Sequence, residues 1–270
     1  MVKINLKDTN FTGDVSCCHK GKNKHIEWYR GDEQVSTTCF ITDMQLKTVD
    51  SVNAKRKIAW MMEPRGISPW MYDWIKDNNR RFDYVLTYDK ELLDRGENFI
   101  WYPHGRRWVQ ATEIPVKTKQ CSIIASTKRT AGGHKLRHDV VARYGDVVNA
   151  YGYAYKPMEN TDEALLDYPF SVTIENTQQP FYWTEKVIDC FASKTIPIYW
   201  GNRHITKFFN EDGIIFFDTL DELGGILNNL TPELYEMKKE AIEDNYNRHF
   251  QYWIPEDWLW ENYNWMFTEV

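Results

Sequence analysis

Phe170–Gly201, FSVTIENTQQPFYWTEKVIDCFASKTIPIYWG, constrains the fold more than any other part of the chain. A β-branched run is followed by a polar turn, a helix opening on Thr184-Glu185-Lys186, and a second apolar strand, Ile196–Trp200. Such a strand–helix–strand unit belongs to an open α/β sheet, where ligands bind at the carboxyl ends of strands and against helix N-termini. Thr184 is a good N-cap, which places Glu185 and Lys186 in the first turn. The positive end of the helix dipole opposes a lysine there, and a bound anion such as a diphosphate resolves the conflict.

The rest of the chain repeats this alternation in two series. In the first, Val2–Leu6, Cys39–Ile41, Lys57–Met62, Phe82–Tyr88 and Asn98–Tyr102 read as strands, with helices over Pro69–Asn78 and Glu91–Arg95. Residues 111–120 are polar, contain Pro115 and lack periodicity, and read as an interdomain linker. The second series runs from strand Cys121–Ser126 through the basic, glycine-containing loop Lys128–Gly133, helix His134–Tyr144 and strand Val147–Tyr151. After Gly201 come a short helix near Ile205–Phe209, strand Ile214–Phe217, helices near Leu220–Leu230 and Pro232–Phe250, and a Trp-rich helix, Pro255–Phe267. The expected organisation is therefore two Rossmann-like α/β domains facing a cleft, over residues 1–112 and 121–250. Residues 251–270 form a C-terminal helix returning to the first domain. Glu256, Asp257 and Glu261 make that helix acidic, which favours packing within the protein over binding an anionic membrane.

Composition removes several alternatives. A net charge of −6 lacks the basic footprint of a nucleic-acid binder. Cys17, Cys18, Cys39, Cys121 and Cys190 form no CxxC pair, so reduced thiols in a cytoplasmic setting are the simpler expectation. No window is apolar enough to span a bilayer, leaving at most weak peripheral association with a membrane. With no G-x-G-x-x-G after the first strands, a dinucleotide-dependent oxidoreductase is disfavoured.

Glu175-Asn176-Thr177, a five-residue spacer, Trp183-Thr184-Glu185-Lys186 and Ile196-Pro197-Ile198-Tyr199-Trp200-Gly201 together resemble the signature of the α1,3/4-fucosyltransferases, glycosyltransferase family 10. The resemblance is closest to bacterial members and extends over roughly the last two thirds of the chain. It implies a GT-B fold, with acceptor contacts in the first domain and the nucleotide sugar in the second. It further implies an inverting transfer of L-fucose from GDP-β-L-fucose to a hydroxyl of an acceptor glycan. The same fold acting on another nucleotide sugar, or a non-catalytic carbohydrate- or nucleotide-binding relative, stays open. Animal members are anchored Golgi enzymes, whereas this chain resembles the soluble or peripheral microbial form.

Such a transfer needs a base for the acceptor hydroxyl and positive groups for the departing diphosphate. The chain contains no Asp-x-Asp triplet and no His/Cys cluster with metal spacing, so no cofactor is expected and a divalent metal is at most stimulatory. Arg137 and Lys186 are the phosphate candidates, and the resemblance assigns phosphate contact to the former. Glu185 is stabilised by the helix dipole in any case, and the resemblance adds a bond to the ribose. Asn176 and Tyr182 match positions lining the donor pocket, and Ser126 matches the end of the first strand of the nucleotide domain. Glu63 closes the strand KIAWMM just before Pro64, a position that is usually only a strand terminator; the resemblance makes it the general base. Glu175 and His104 are secondary candidates, the first for shaping its loop and the second with a structural role preferred. Pro64–Pro69 departs from the usual family loop, and acceptor choice stays open there.

Overall fold

The computed structural model describes residues 1–9 and 23–268. They divide into two compact units. The first holds the described residues of Met1–Arg106 and Tyr252–Val270 with Gln179–Tyr182, and the second holds Arg107–Gln178 and Trp183–Gln251.

The first unit is built on β1 (Val2–Lys7), β2 (Ile26–Tyr29), β3 (Thr38–Thr42), β4 (Arg56–Trp60), β5 (Tyr84–Thr87) and β6 (Phe99–Trp101). They form one parallel sheet in the order β2-β1-β3-β4-β5-β6. Successive side chains of a strand point to opposite faces, and here both faces are buried. Ile58 and Trp60 join Phe40 and Leu86 on one face, while Ala59 and Met61 join Ile41 and Val85 on the other. The second face is covered by α1 (Pro69–Asn78), through Met71, Tyr72 and Ile75, and by a 3-10 helix over Asp43–Ser51. A short α2 (Lys90–Leu93) precedes β6. Strand β2 is absent from the sequence expectation, because only four residues alternate there between polar flanks. Cys17 and Cys18 lie outside the described residues. Cys39, Cys121 and Cys190 are free and buried, their thiols pushed by burial up to about 11, 12 and 12 respectively.

The second unit carries β7 (Cys121–Ile124), α3 (Gly132–Tyr144), β8 (Asn149–Tyr151), α4 (Asp162–Leu165), β9 (Phe170–Ile174), α5 (Glu185–Ala192), β10 (Ile196–Trp200) and β11 (Ile215–Phe216). Its parallel sheet runs β11-β10-β9-β7-β8. The chain winds outward from β7 to β8, then returns to place β9 on the other side of β7. That reversal makes the carboxyl ends of β7 and β9 the topological switch point.

Helices α6 (Leu220–Leu227), α7 (Pro232–Met237) and α8 (Lys239–His249) complete this unit. The continuous helix expected over Pro232–Phe250 is broken at Lys238, which leaves helical angles (φ −97°, ψ 8°). The break lets α8 bury Ala241, Ile242, Asn245 and His249, while α7 buries none of its residues. Residues 111–120, expected as a linker, belong to the second unit. Lys117 anchors them: its ammonium donates to Leu166 O (2.8 Å), Ser193 O (2.6 Å), Leu165 O (3.3 Å) and Thr195 Oγ1 (3.2 Å), at the ends of α4 and α5.

The C-terminal helix α9 (Pro255–Tyr263) and the 3-10 turn Asn264–Met266 are part of the first unit, where Leu259, Met266 and Phe267 pack on the Phe40–Trp60 face. Two of the three acidic residues expected to direct this helix into the protein are themselves consumed by the packing. Glu256 and Asp257 are buried, because Trp28 Nε1–H donates to Glu256 Oε1 (3.0 Å) and the Lys24 N–H to Asp257 Oδ1 (2.8 Å). Among the described residues no helix is long and apolar enough to cross a membrane.

Candidate active site

The switch point of the second unit gathers most of the expected donor residues. Helix α3 starts hard against the end of β9. Gly133 N–H donates to Asn176 O (3.1 Å), and a Cβ at Gly133 would lie 1.7 Å from Glu175 O, so only glycine permits this approach. One turn on, Arg137 is 5% exposed and donates through Nε to Ile174 O (3.1 Å), through Nη2 to the same carbonyl, and through Nη2 to Asn176 Oδ1 (3.0 Å). The guanidinium thus satisfies the carbonyl at the end of β9 and orients the Asn176 amide. Ser126, two residues beyond β7, accepts from the Lys128 N–H (3.3 Å) and shapes the basic loop leading into α3.

The neighbouring helix start is fixed just as closely. Glu175 is fully buried, and its two oxygens accept from Thr184 N–H (2.9 Å) and Thr184 Oγ1–H (2.8 Å). Desolvation raises its pKa, opposed by the Lys186 charge. Thr184 Oγ1 in turn accepts from Lys186 N–H (3.3 Å) and Lys186 Nζ (3.2 Å), as an N-cap should. The first-turn lysine expected to call for an anion already has a partner, because Lys186 Nζ lies 2.6 Å from Glu185 Oε1. Both side chains are only partly buried, so the pair can open toward a ligand. Glu175 is therefore a shaper of the α5 start, with no open oxygen toward a ligand needed for that role.

His134, which the sequence did not single out, sits in the first turn of α3, 5% exposed. Its Nδ1 accepts from Ala131 N–H (3.2 Å) and bonds the Thr130 hydroxyl (3.1 Å). Desolvation, then Arg137, Lys128, Lys186 and His138, lower its pKa to about 4. Burial is the main reason the ring is neutral, and the Arg137, Lys128 and Lys186 charges that add to it form a positive field at the switch point, suited to an anion. The sequence offered no signal for this beyond a histidine after two glycines.

Glu63 lies in the first unit, three residues past the end of β4 and half-buried. Its backbone is held by the core: Tyr72 Oη–H donates to Glu63 O (2.8 Å), Tyr88 Oη–H to Met62 O (3.0 Å) and Tyr102 Oη–H to Met61 O (3.0 Å). The following loop is tied by Arg65, whose Nη2 meets both oxygens of Asp89 (3.0 Å each) and Glu91 Oε2 (2.9 Å). Gln179, in the middle of the signature spacer, accepts from the Arg65 N–H (3.1 Å) and donates to Asp89 Oδ2 (2.7 Å).

Tyr182, expected with the donor residues, is placed by the structure in the first unit. It is 2% exposed there, with ring centroids 5.2 Å from Tyr88 and 6.1 Å from His104. His104 is buried and bonds Tyr102 Oη through Nδ1 (2.9 Å). The structure thus brings Ser126, Arg137, Asn176, Glu175, Glu185 and Lys186 into one unit, and Glu63, His104 and Tyr182 into the other. Among the described residues no group of three or more His, Cys, Asp or Glu side chains is placed to hold a metal ion.

Residues 114–265 match the family described as glycosyltransferase family 10 (fucosyltransferase) C-terminal domain. The chain is 45% identical over 71 residues to the alpha-(1,3)-fucosyltransferase FucT of Helicobacter pylori, a segment making up 26% of this chain and 14% of that protein. It is 35% identical over 81 residues to the putative fucosyltransferase R654 of Acanthamoeba polyphaga mimivirus, 27% of this chain and 13% of that protein. The matched segments are thus a small part of both relatives. Crystal structures of alpha1,3-fucosyltransferase with GDP and with GDP-fucose share the fold, at TM-scores of 0.57 and 0.55. In each case 91% of this chain and 81% of the other is covered, at 19% identity. The architecture is α/β with two parallel sheets, the GT-B fold class of those structures.

Proposed function

This chain belongs to glycosyltransferase family 10, and we propose that it is an inverting fucosyltransferase, moving L-fucose from GDP-β-L-fucose to a hydroxyl of an acceptor glycan. The observation that carries the reading is the β7/β9 switch point, where two helix starts converge with Arg137, Lys186 and a neutral His134. Such an arrangement suits a nucleoside diphosphate. The relatives crystallised with GDP and GDP-fucose support the choice of donor.

In this mechanism Glu63 takes the proton of the acceptor hydroxyl, which attacks the anomeric carbon from the face opposite the phosphate. Inversion of the β-linked donor then yields an α-fucoside. Arg137, Lys186 and the amide groups at the start of α5 stabilise the departing GDP, and Glu185 bonds the ribose. Charge on the leaving group is met by the protein's own cations, with no resident cofactor required. Activity in the cytoplasm, free or loosely associated with a membrane surface, completes the proposal.

The test is calorimetric titration with GDP-fucose, GDP-mannose and UDP-galactose, with and without Mn²⁺, followed by a glycan panel. Fucose-selective binding that weakens in Lys186→Ala is expected. A general base contributes ~10²–10⁴-fold, so Glu63→Ala should lose turnover to that extent while still binding GDP. Preference for another nucleotide sugar refutes the donor, and near-wild-type transfer by Glu63→Ala refutes the base.

A further inference from the structure

Asp43 has no part in the reading so far, yet its carboxylate is bonded to the backbone of Glu63. Strands β3 and β4 pair in register up to Thr42 and Trp60. Beyond that point β3 turns away into the 3-10 helix Asp43–Ser51, while the chain of β4 runs on to Glu63. The N–H groups of Met62 and Glu63 therefore have no facing strand. Asp43 replaces it with a side chain: Oδ1 accepts from the Met62 N–H (2.7 Å) and Oδ2 from the Glu63 N–H (3.1 Å).

Two features set this carboxylate apart from an ordinary strand-end cap. It is 1% exposed, so its charge has been taken out of water to make these bonds. Its backbone has φ +21°, a conformation that a residue with a Cβ adopts only at a cost, and such strain gathers at functional positions. The carbonyls on the other side of the same segment are held by Tyr102, Tyr88 and Tyr72, and the Met61 N–H donates to Leu86 O (3.0 Å). Each peptide group from Met61 to Glu63 is thus pinned from both sides. Among the described residues the carboxylate of Glu63 itself makes no hydrogen bond or ion pair. The segment is rigid at its backbone and open at the one group that would react.

We propose that Asp43 is a positioning residue for Glu63, fixing where the carboxylate meets the acceptor hydroxyl; this rests on Glu63 being the base. A displacement of about 1 Å in a catalytic group costs ~10²-fold in rate. Asparagine at position 43 offers one oxygen to the two N–H groups and turns its own NH₂ toward the other. Asp43→Asn therefore releases one side of the clamp with almost no change of volume.

The experiment compares wild type, Asp43→Asn, Glu63→Ala and the double variant of the full chain. It follows GDP released from GDP-fucose with water or with the best glycan of the panel. Asp43→Asn is expected to lower kcat by ~30–100-fold, with donor KM and GDP affinity unchanged. In the Glu63→Ala background it should cost nothing further, since a residue acting only through Glu63 has nothing left to act on. A kcat within threefold of wild type, or the same fractional loss in both backgrounds, overturns the positioning role. Should Asp43→Asn not fold, Tyr72→Phe removes one bond to Glu63 O from the opposite side, and a several-fold loss of kcat that disappears in Glu63→Ala is then required. Full activity of Glu63→Ala refutes the base itself. A dead Glu63→Ala with an additive Asp43→Asn refutes the positioning role alone.

Discussion

Replacing Asp189 by asparagine should stabilise the protein, by an amount that grows with pH. Asp189 lies in the middle of α5, 2% exposed, and both of its bonds fall on one oxygen: Oδ1 accepts from Trp108 N–H (2.7 Å) and Val109 N–H (3.0 Å). Arg107 is near but spends its own donors on Val109 O and Ala111 O, at 2.8 and 2.6 Å. Burial therefore dominates and pushes the carboxyl up from 3.8 to about 8. A group with a raised folded pKa contributes its stability below the unfolded value and loses it as pH rises through the folded one. Here the loss runs between pH 3.8 and about 8. At about 1.4 kcal/mol per pKa unit this amounts to about 6 kcal/mol at most. Asparagine keeps the oxygen that accepts both N–H bonds and carries no charge. Asp189→Asn should match wild type near pH 4 and exceed it by about 2–4 kcal/mol at pH 8, or roughly 5–15 °C in Tm for a protein of this size. Calorimetric melts from pH 4 to 8 measure this directly. A variant less stable than wild type at pH 8, with the pH slope of wild type unchanged, would show that Asp189 is ionised and that its charge is needed.

Two further substitutions probe the switch point. Glu175→Ala leaves Thr184 N–H and its hydroxyl buried without their acceptor and should lower stability by about 3 kcal/mol. Glu175→Gln, which retains an acceptor for the N–H, should cost about 1 kcal/mol; equal losses in denaturant titrations would mean that these bonds do not hold the start of α5. Gly133→Ala drives a Cβ into Glu175 O and should cost about 3 kcal/mol together with donor affinity, whereas Gly132→Ala, which meets nothing within 4 Å, should be neutral or slightly stabilising. Similar melting temperatures for the two variants would refute the close approach of α3 to β9.

Much of the site's framework was legible in the residues themselves. Helix α1 occupies Pro69–Asn78, the span read from the spacing of Trp70, Met71, Trp74 and Ile75. Strand β9, the Thr184 cap, α5 and β10 follow in the order the signature stretch implies. Periodicity, caps and prolines act over a few residues, so a linear reading captures them. What escaped it depends on partners brought close only by folding. The bond of Trp28 to Glu256 joins residues 228 positions apart, and nothing local marks Glu256 as buried. Gln179 and Tyr182 sit within a motif of the second unit, yet the tertiary structure gives them to the first, because an apolar ring and an amide go where matching surfaces exist. Lys186 reads as an unpaired first-turn charge until Glu185 is seen beside it. Asp43 shows nothing in sequence; its two bonds form because β3 ends at Thr42, opposite Trp60, while the chain beyond β4 still presents the N–H groups of Met62 and Glu63. The sequence by itself determined most of the strands and helices, the β9–α5–β10 unit among them, though neither β2 nor the break at Lys238. Which polar groups are consumed by packing was decided only by the tertiary structure, since hydrogen bonds and burial are properties of neighbours in space.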